Sequence, residues 1–170
     1  MITELLNDYP GLSVLRRTKI NTEVLSHPER AYILSGPSDT GKTRLAKELY
    51  KLYPVENRYA MSAENWQQDI TDASCNRGNW PVMSAHHLLE AGGDYWGQRA
   101  LFLDDIDKIR LTESGFVEPQ LKAFLDAVER RGDLLNITTS LNKEDLFKKF
   151  SDQIGRRILH GRIWVDFTNK

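Results

Sequence analysis

Ala31-Tyr32-Ile33-Leu34-Ser35-Gly36-Pro37-Ser38-Asp39-Thr40-Gly41-Lys42-Thr43 is the stretch that decides the fold. Its first five residues form an apolar run short enough for a buried strand, and the remainder has the spacing G-x-x-x-x-G-K-[ST]. Glycines at this spacing let backbone N–H groups converge on phosphate oxygens. A lysine at the position of Lys42 reaches the β- and γ-phosphates, and a hydroxyl at Thr43 can ligate Mg²⁺. Leu45, Leu49, Leu52 and Tyr53 then recur at helical spacing, so a helix N-terminus faces the anion and adds its dipole. The expected phosphate cradle is Gly36, Pro37, Ser38, Asp39, Thr40, Gly41, Lys42, Thr43 and Arg44.

At 170 residues the chain fits one domain with a sizeable core. Residues 1–27 read as an N-terminal helical flank and 28–170 as the core domain. Its 23 basic and 24 acidic residues leave a net charge of -1, so no global field draws it to nucleic acid and any DNA contact needs a local patch. Cys75 is the sole cysteine, which excludes an intramolecular disulfide; it reads as buried or half-buried. No run of 18 apolar residues occurs, and Met1-Ile2-Thr3-Glu4 lacks the basic start of a signal peptide. The expectation is a cytoplasmic protein without a membrane partner.

The flank holds apolar Ile2, Leu5 and Leu6, a turn at Tyr9-Pro10-Gly11 and a helix over Leu12 to Leu25, whose Arg16, Arg17 and Lys19 can touch phosphate but read first as a solvated face. Beyond the loop and its helix, Arg58 to Met61 reads as a short strand, and Ser62 caps a helix running toward Cys75. A second helix spans Ser84 to Glu90 and ends at Gly92-Gly93. Trp66, Trp80 and Trp96 with Arg77 and Arg99 crowd this region; aromatic residues beside arginines can stack on single-stranded bases, and they can equally build core. His86 and His87 point apart on a helix and have no metal-ligand spacing.

Ala100-Leu101-Phe102-Leu103-Asp104-Asp105 is the second chemical element, an apolar run ending in acids. A buried parallel strand presents such carboxylates at its C-terminal edge, where the phosphate loop also lies. Asp104 is expected on Mg²⁺ and Asp105 on the attacking water. Glu118-Pro119 opens a helix with its core face on Leu121, Phe124, Leu125 and Val128, closed by Gly132. Leu134 to Ser140 reads as a strand ending in hydroxyls, one of which can contact the γ-phosphate or the lytic water, Asn142 as the cap of the next helix, and Ser151 to His160 as a helix carrying Arg156 and Arg157. Arg162 to Phe167 alternates as a last strand. Five strands alternating with helices predict an α/β, three-layer, parallel sheet.

The order GPSDTGKT, LFLDDID, LNITTSLN, IGRRILHG and IWVDF resembles the AAA+ ATPases of the DnaC and IstB group, which includes helicase loaders and transposition helper ATPases. The resemblance covers roughly residues 28 to 167 and implies a P-loop NTPase core that takes ATP and Mg²⁺. It implies Walker A at Gly36, Gly41, Lys42 and Thr43, Walker B at Asp104 and Asp105, and sensor 1 at Ser140 or Thr139. It also implies an arginine finger at Arg157 or Arg156, acting in trans after self-association. Asp39 stands where glycine is usual and Asp105 where glutamate is. After the fifth strand the helical lid domain is missing. The implied role is ATP hydrolysis in DNA replication as a helicase loader, with a replicative helicase and single-stranded DNA as partners. The DNA contacts fall on Arg77, Arg99, Lys148, Lys149 and Arg162. The alternatives are an IstB-like ATPase partnered by a transposase, a small P-loop kinase, and a nucleotide-binding adaptor without hydrolysis.

Overall fold

Strand β1, Ala31–Ser35, is buried at every position, as a strand flanked by neighbours and covered on both faces must be. The computed structural model describes residues 14–76, 80–90, 98–111 and 115–168. Ile2, Leu5, Leu6, the turn at Tyr9-Pro10-Gly11, Arg77, Gly92-Gly93 and Trp96 lie outside the described residues.

In chain order, α1 (Val14–Ser26) precedes β1; then follow α2 (Lys42–Lys51), β2 (Arg58–Ser62), α3 (Ala63–Asn76), α4 (Ala85–Glu90), β3 (Ala100–Asp104), α5 (Val117–Arg131), β4 (Leu134–Thr139), α6 (Lys143–Lys149), α7 (Asp152–Leu159) and β5 (Arg162–Asp166). The five strands form one sheet in the order β2-β3-β4-β1-β5, and every pairing is parallel. Parallel neighbours need crossovers, which the helices supply. The expected five-stranded parallel AAA+ sheet is the one observed.

Side-chain alternation sorts the strands onto two faces. Tyr32, Leu34 and Phe102 pack with Val24 of α1 and Leu45 and Leu49 of α2. Ile33, Leu101, Leu103, Leu135 and Ile137 pack on the other face with Trp66 of α3, Phe124 of α5 and Ile158 of α7. Three layers follow from this period of two. The same parity aims Asp104, two residues beyond Phe102, at the α2 face, and α2 begins directly after the phosphate loop.

The predicted caps form. Asn142 Oδ1 accepts the Asp145 amide at 2.9 Å, Ser62 Oγ accepts the Asn65 amide at 3.2 Å, and Gly132 closes α5 at φ 69°. Trp66 is wholly buried and donates its indole N–H to the Met83 carbonyl at 2.7 Å, so it is core.

Four charged or polar residues differ from expectation. Cys75 is exposed, because the last turn of α3 turns it from the core. Arg17 is 3% exposed, on the side of α1 that faces α2 and the phosphate loop, and so leaves the solvated face. Arg99 is also 3% exposed, and Arg162 is spent on main-chain carbonyls of Leu135, Arg157, Ile158 and His160. The last arrangement satisfies carbonyls at the end of α7 that the helix itself leaves unpaired. Neither Arg99 nor Arg162 is available as a DNA contact.

Candidate nucleotide site

The loop leaves β1 through Gly36, at φ 145°, where a Cβ would stand 2.8 Å from Cβ of Phe167. Phe167 is held there by its own amide, which donates to the Ser35 carbonyl at 2.7 Å, while the Gly36 amide donates to Thr139 at 3.1 Å. Only glycine fits this junction. Asp39, at φ 61°, and Gly41, at φ 91°, provide the left-handed turns that curl the loop back to α2.

Inside the curl Lys42 is buried and donates to the Pro37 carbonyl at 2.6 Å; the Thr40 hydroxyl donates to the same oxygen at 2.8 Å. Burial pulls the Lys42 ammonium below its ordinary pKa, against the opposing fields of Asp105, Asp107, Asp104 and Asp39. Lys42, Thr43, Asp39, Asp105, Asp107 and Ser140 border a cavity of about 320 Å³.

At its edge Thr43 meets Asp104, the threonine hydroxyl donating to Asp104 Oδ1 at 2.9 Å. Thr138 donates to the same oxygen at 2.5 Å and accepts the Asp105 amide at 2.8 Å. This pins the end of β3 to β4 and leaves Asp105 in the left-handed region at φ 55°. A non-glycine residue so held is a mark of functional sites. Burial raises the Asp105 pKa, and the charges of Asp104 and Asp107 add to the rise.

A 3-10 turn over Ile106–Lys108 brings Asp107 back to the cavity. Its carboxylate takes the Ser140 amide at 2.8 Å and the Ser140 hydroxyl at 2.7 Å. Of the two hydroxyls considered for the sensor, Ser140 borders the cavity, whereas Thr139 is wholly buried and accepts the Leu141 amide at 3.1 Å.

Arg156 and Arg157 lie at the far end of the sheet. Arg157 borders a separate cavity with the opening residues of β1, β4 and β5, namely Ala31, Leu134 and Arg162. It is 31% exposed and ion-paired to Asp126, which also holds Lys122 at 3.1 Å; Arg156 is 76% exposed and pairs with Asp152 at 2.8 Å. Within one chain neither arginine reaches the phosphate cavity. Sequence reasoning missed Thr138, Asp107 and Asp126. The acid three residues after Asp104 was the available signal for Asp107, and the run of hydroxyls Thr138-Thr139-Ser140 that for Thr138; nothing in the pattern marked Asp126.

Hard oxygen donors at Thr43 and Asp104, brought together beside a buried lysine at a helix N-terminus, suit a magnesium–triphosphate pair. Among the described residues no His, Cys or carboxylate cluster forms a further metal site, and no helix is long and apolar enough to cross a membrane.

The parallel sheet with its loop after β1 and acids after β3 defines a P-loop NTPase fold. A family model for the ATPases associated with various cellular activities (AAA) matches residues 32–162, and the chain belongs to that family. The fold is similar to that of AMPPCP-bound DnaA from Aquifex aeolicus, at 16% identity and a TM-score of 0.67 over 95% of this chain and 49% of that one. It is also similar to the DnaC helicase loader, at 15% identity and 0.69 over 95% and 94%, and to DnaI, at 14% and 0.64 over 98% and 94%. At these identities the likeness establishes the fold alone, and the chain spans about half the length of the Aquifex DnaA. No curated protein sequence is significantly similar to it.

Proposed function

We propose that this chain binds ATP with Mg²⁺ in the loop Gly36 to Arg44 and hydrolyses it as a self-associating helicase-loader-like ATPase of DNA replication. The observation that carries the chemistry is the contact of Thr43 with Asp104 beside buried Lys42. Thr43 and Asp104 would hold the metal, whose charge would offset that of the phosphate oxygens. Lys42 then leaves the Pro37 carbonyl for the phosphates. Asp105 orients a water whose oxygen bonds to the γ-phosphorus as the bond to the ADP oxygen breaks, and it takes up the water's proton. Ser140 borders the same space. Arg157 is proposed as the finger given to a neighbouring chain, with Arg156 as its rival, because neither reaches its own cavity.

The replication role is supported by the likeness to a helicase loader over most of both chains, and the DNA role by a DnaA structure of similar fold bound to AMPPCP and single-stranded DNA. Of the described cations assigned to DNA, Lys148 is exposed and Lys149 half-buried. Thin-layer analysis of ATP turnover tests the reaction: free phosphate supports hydrolysis, a phosphorylated acceptor would make the chain a kinase, and ATP binding with neither would make it an adaptor. Co-purification with a hexameric helicase supports the loader reading, and capture of a transposase in its place replaces it with the IstB-like one.

A further inference from the structure

Ser140 presents a single hydroxyl proton, and the structure shows where it is committed. Both the amide and the hydroxyl of Ser140 converge on one carboxylate, at 2.8 Å to Oδ1 and 2.7 Å to Oδ2 of Asp107. An ionised carboxylate only accepts, so the proton between the two oxygens belongs to Ser140. Such charge-assisted bonds are roughly twice as strong as neutral ones. Burial works against the charge of Asp107, and the bonds from Ser140 and Thr139 outweigh it, so the carboxyl stays below its ordinary pKa and is ionised at neutral pH.

We infer that Asp107 is a positioning residue that locks Ser140 as a hydrogen-bond acceptor, so that Ser140 orients the attacking water and does not read the γ-phosphate. With its proton turned to Asp107, the Ser140 oxygen offers only lone pairs to the cavity. Phosphate oxygens, which are also acceptors, are repelled by it; a water O–H is held by it. The same carboxylate ties the end of β4 to the turn after β3, so the two acids and the hydroxyl keep one spacing. This rests on the hydrolysis reading above.

The test compares phosphate release and affinity for a non-hydrolysable ATP analogue, both with Mg²⁺, in the full chain and in Asp107→Asn, Ser140→Ala, Ser140→Thr and the Asp107→Asn/Ser140→Ala double variant. Asp107→Asn and Ser140→Ala are each expected to lower kcat about tenfold or more while analogue affinity changes less than about threefold. Because the two act as one unit, the double variant should be no more than about twofold slower than the worse single one. Ser140→Thr, which keeps the hydroxyl, should retain most of the rate. Losses that multiply in the double variant overturn the role of Asp107 alone. Ser140 is exposed, so Ser140→Ala leaves the fold intact even where Asp107→Asn unfolds it. A fall in analogue affinity matching its fall in kcat would mean that Ser140 reads the phosphate, and would overturn the acceptor role. A wild-type chain that binds ATP and releases no phosphate overturns the hydrolysis reading and this inference with it.

Discussion

The Thr138 hydroxyl stands 2.5 Å from Asp104 Oδ1 and 2.8 Å from the Asp105 amide, so one wholly buried side chain supports both acids that end β3. Asp104 in turn accepts from Thr43, which makes Thr138 the partner behind a proposed metal ligand. Groups in that position fix the orientation of the ligand and raise its affinity for the ion.

Thr138→Val keeps the volume and removes both bonds. Mg²⁺ affinity of the ATP-bound protein should fall about 10- to 100-fold. The orphaned Asp105 amide should also cost roughly 1–3 kcal/mol of stability. Thr138→Ser should restore both. Magnesium titration of nucleotide binding and a urea unfolding curve read the two effects, and an unchanged magnesium midpoint in Thr138→Val would refute the supporting role.

Asp105 is held where its charge is disfavoured, by burial first and then by Asp104 and Asp107. A carboxyl whose folded pKa is raised stays protonated in the folded chain to a higher pH than in the unfolded chain. Between those two values the unfolded state loses its proton first, so Asp105 takes stability away as pH rises and takes none below both. Asp105→Asn should therefore raise Tm without nucleotide, by more at pH 8 than at pH 4, and abolish most hydrolysis while leaving ATP affinity nearly intact. Thermal unfolding at the two pH values tests it; a Tm gain that is equal at both, or absent, contradicts the placement of that charge.

The sheet was legible in the sequence because parallel strands buried on both faces must be apolar runs, as Ala31 to Ser35 and Ala100 to Leu103 are. The loop was legible because its glycines answer to backbone geometry: Gly36 faces Phe167 and Gly41 needs positive φ. What escaped depends on register and on short turns. Thr138 serves Asp104 because both lie on the α2 side of neighbouring strands, and Asp107 reaches Ser140 only because the chain after Asp105 winds as a 3-10 turn. Arginines misled by type: Arg17, Arg99 and Arg162 read as surface charge, yet long side chains can be buried where main-chain or side-chain acceptors meet them, as four carbonyls do for Arg162.

Asp39 occupies a left-handed position, at φ 61°, and borders the phosphate cavity with its carboxylate exposed. Asp39→Gly should leave stability within about 1 kcal/mol, since relief of roughly 1–2 kcal/mol of left-handed strain is offset by about 0.5–1 kcal/mol of glycine entropy. Removing a like charge near the phosphates is worth on the order of 1 kcal/mol at an intermediate dielectric, or about fivefold in Kd for ATP. The gain should shrink as salt rises. Equal affinity of wild type and Asp39→Gly at low salt would mean that this carboxylate does not bear on the phosphates.

Arg157 sits at the opposite end of the sheet from the loop and is paired to Asp126, so its proposed part in hydrolysis requires a second chain. A finger supplied in trans is worth about 10³ to 10⁵ in rate. Turnover per chain should therefore rise with protein concentration in the wild type and stay low and flat in Arg157→Ala, with ATP affinity nearly unchanged. Burial works against the Asp126 charge, but the bonds from Arg157 and Lys122 outweigh it and hold the carboxyl below its ordinary pKa. Its contribution to stability is thus present above the unfolded carboxylate range and is lost as pH falls through the lowered native value. Asp126→Asn separates the two roles of the arginine: it should remove that acid-sensitive part of stability while leaving the concentration-dependent rate in place, because Arg157 itself remains. Mixing an excess of Lys42→Ala chains, whose own site is disabled, with dilute wild type gives the sharpest reading. Those chains should raise the wild-type rate through their intact Arg157, and the double variant Lys42→Ala/Arg157→Ala should not. If both stimulate equally, Arg156 or another residue is the finger; if ATP affinity collapses in Arg157→Ala, the arginine serves its own chain.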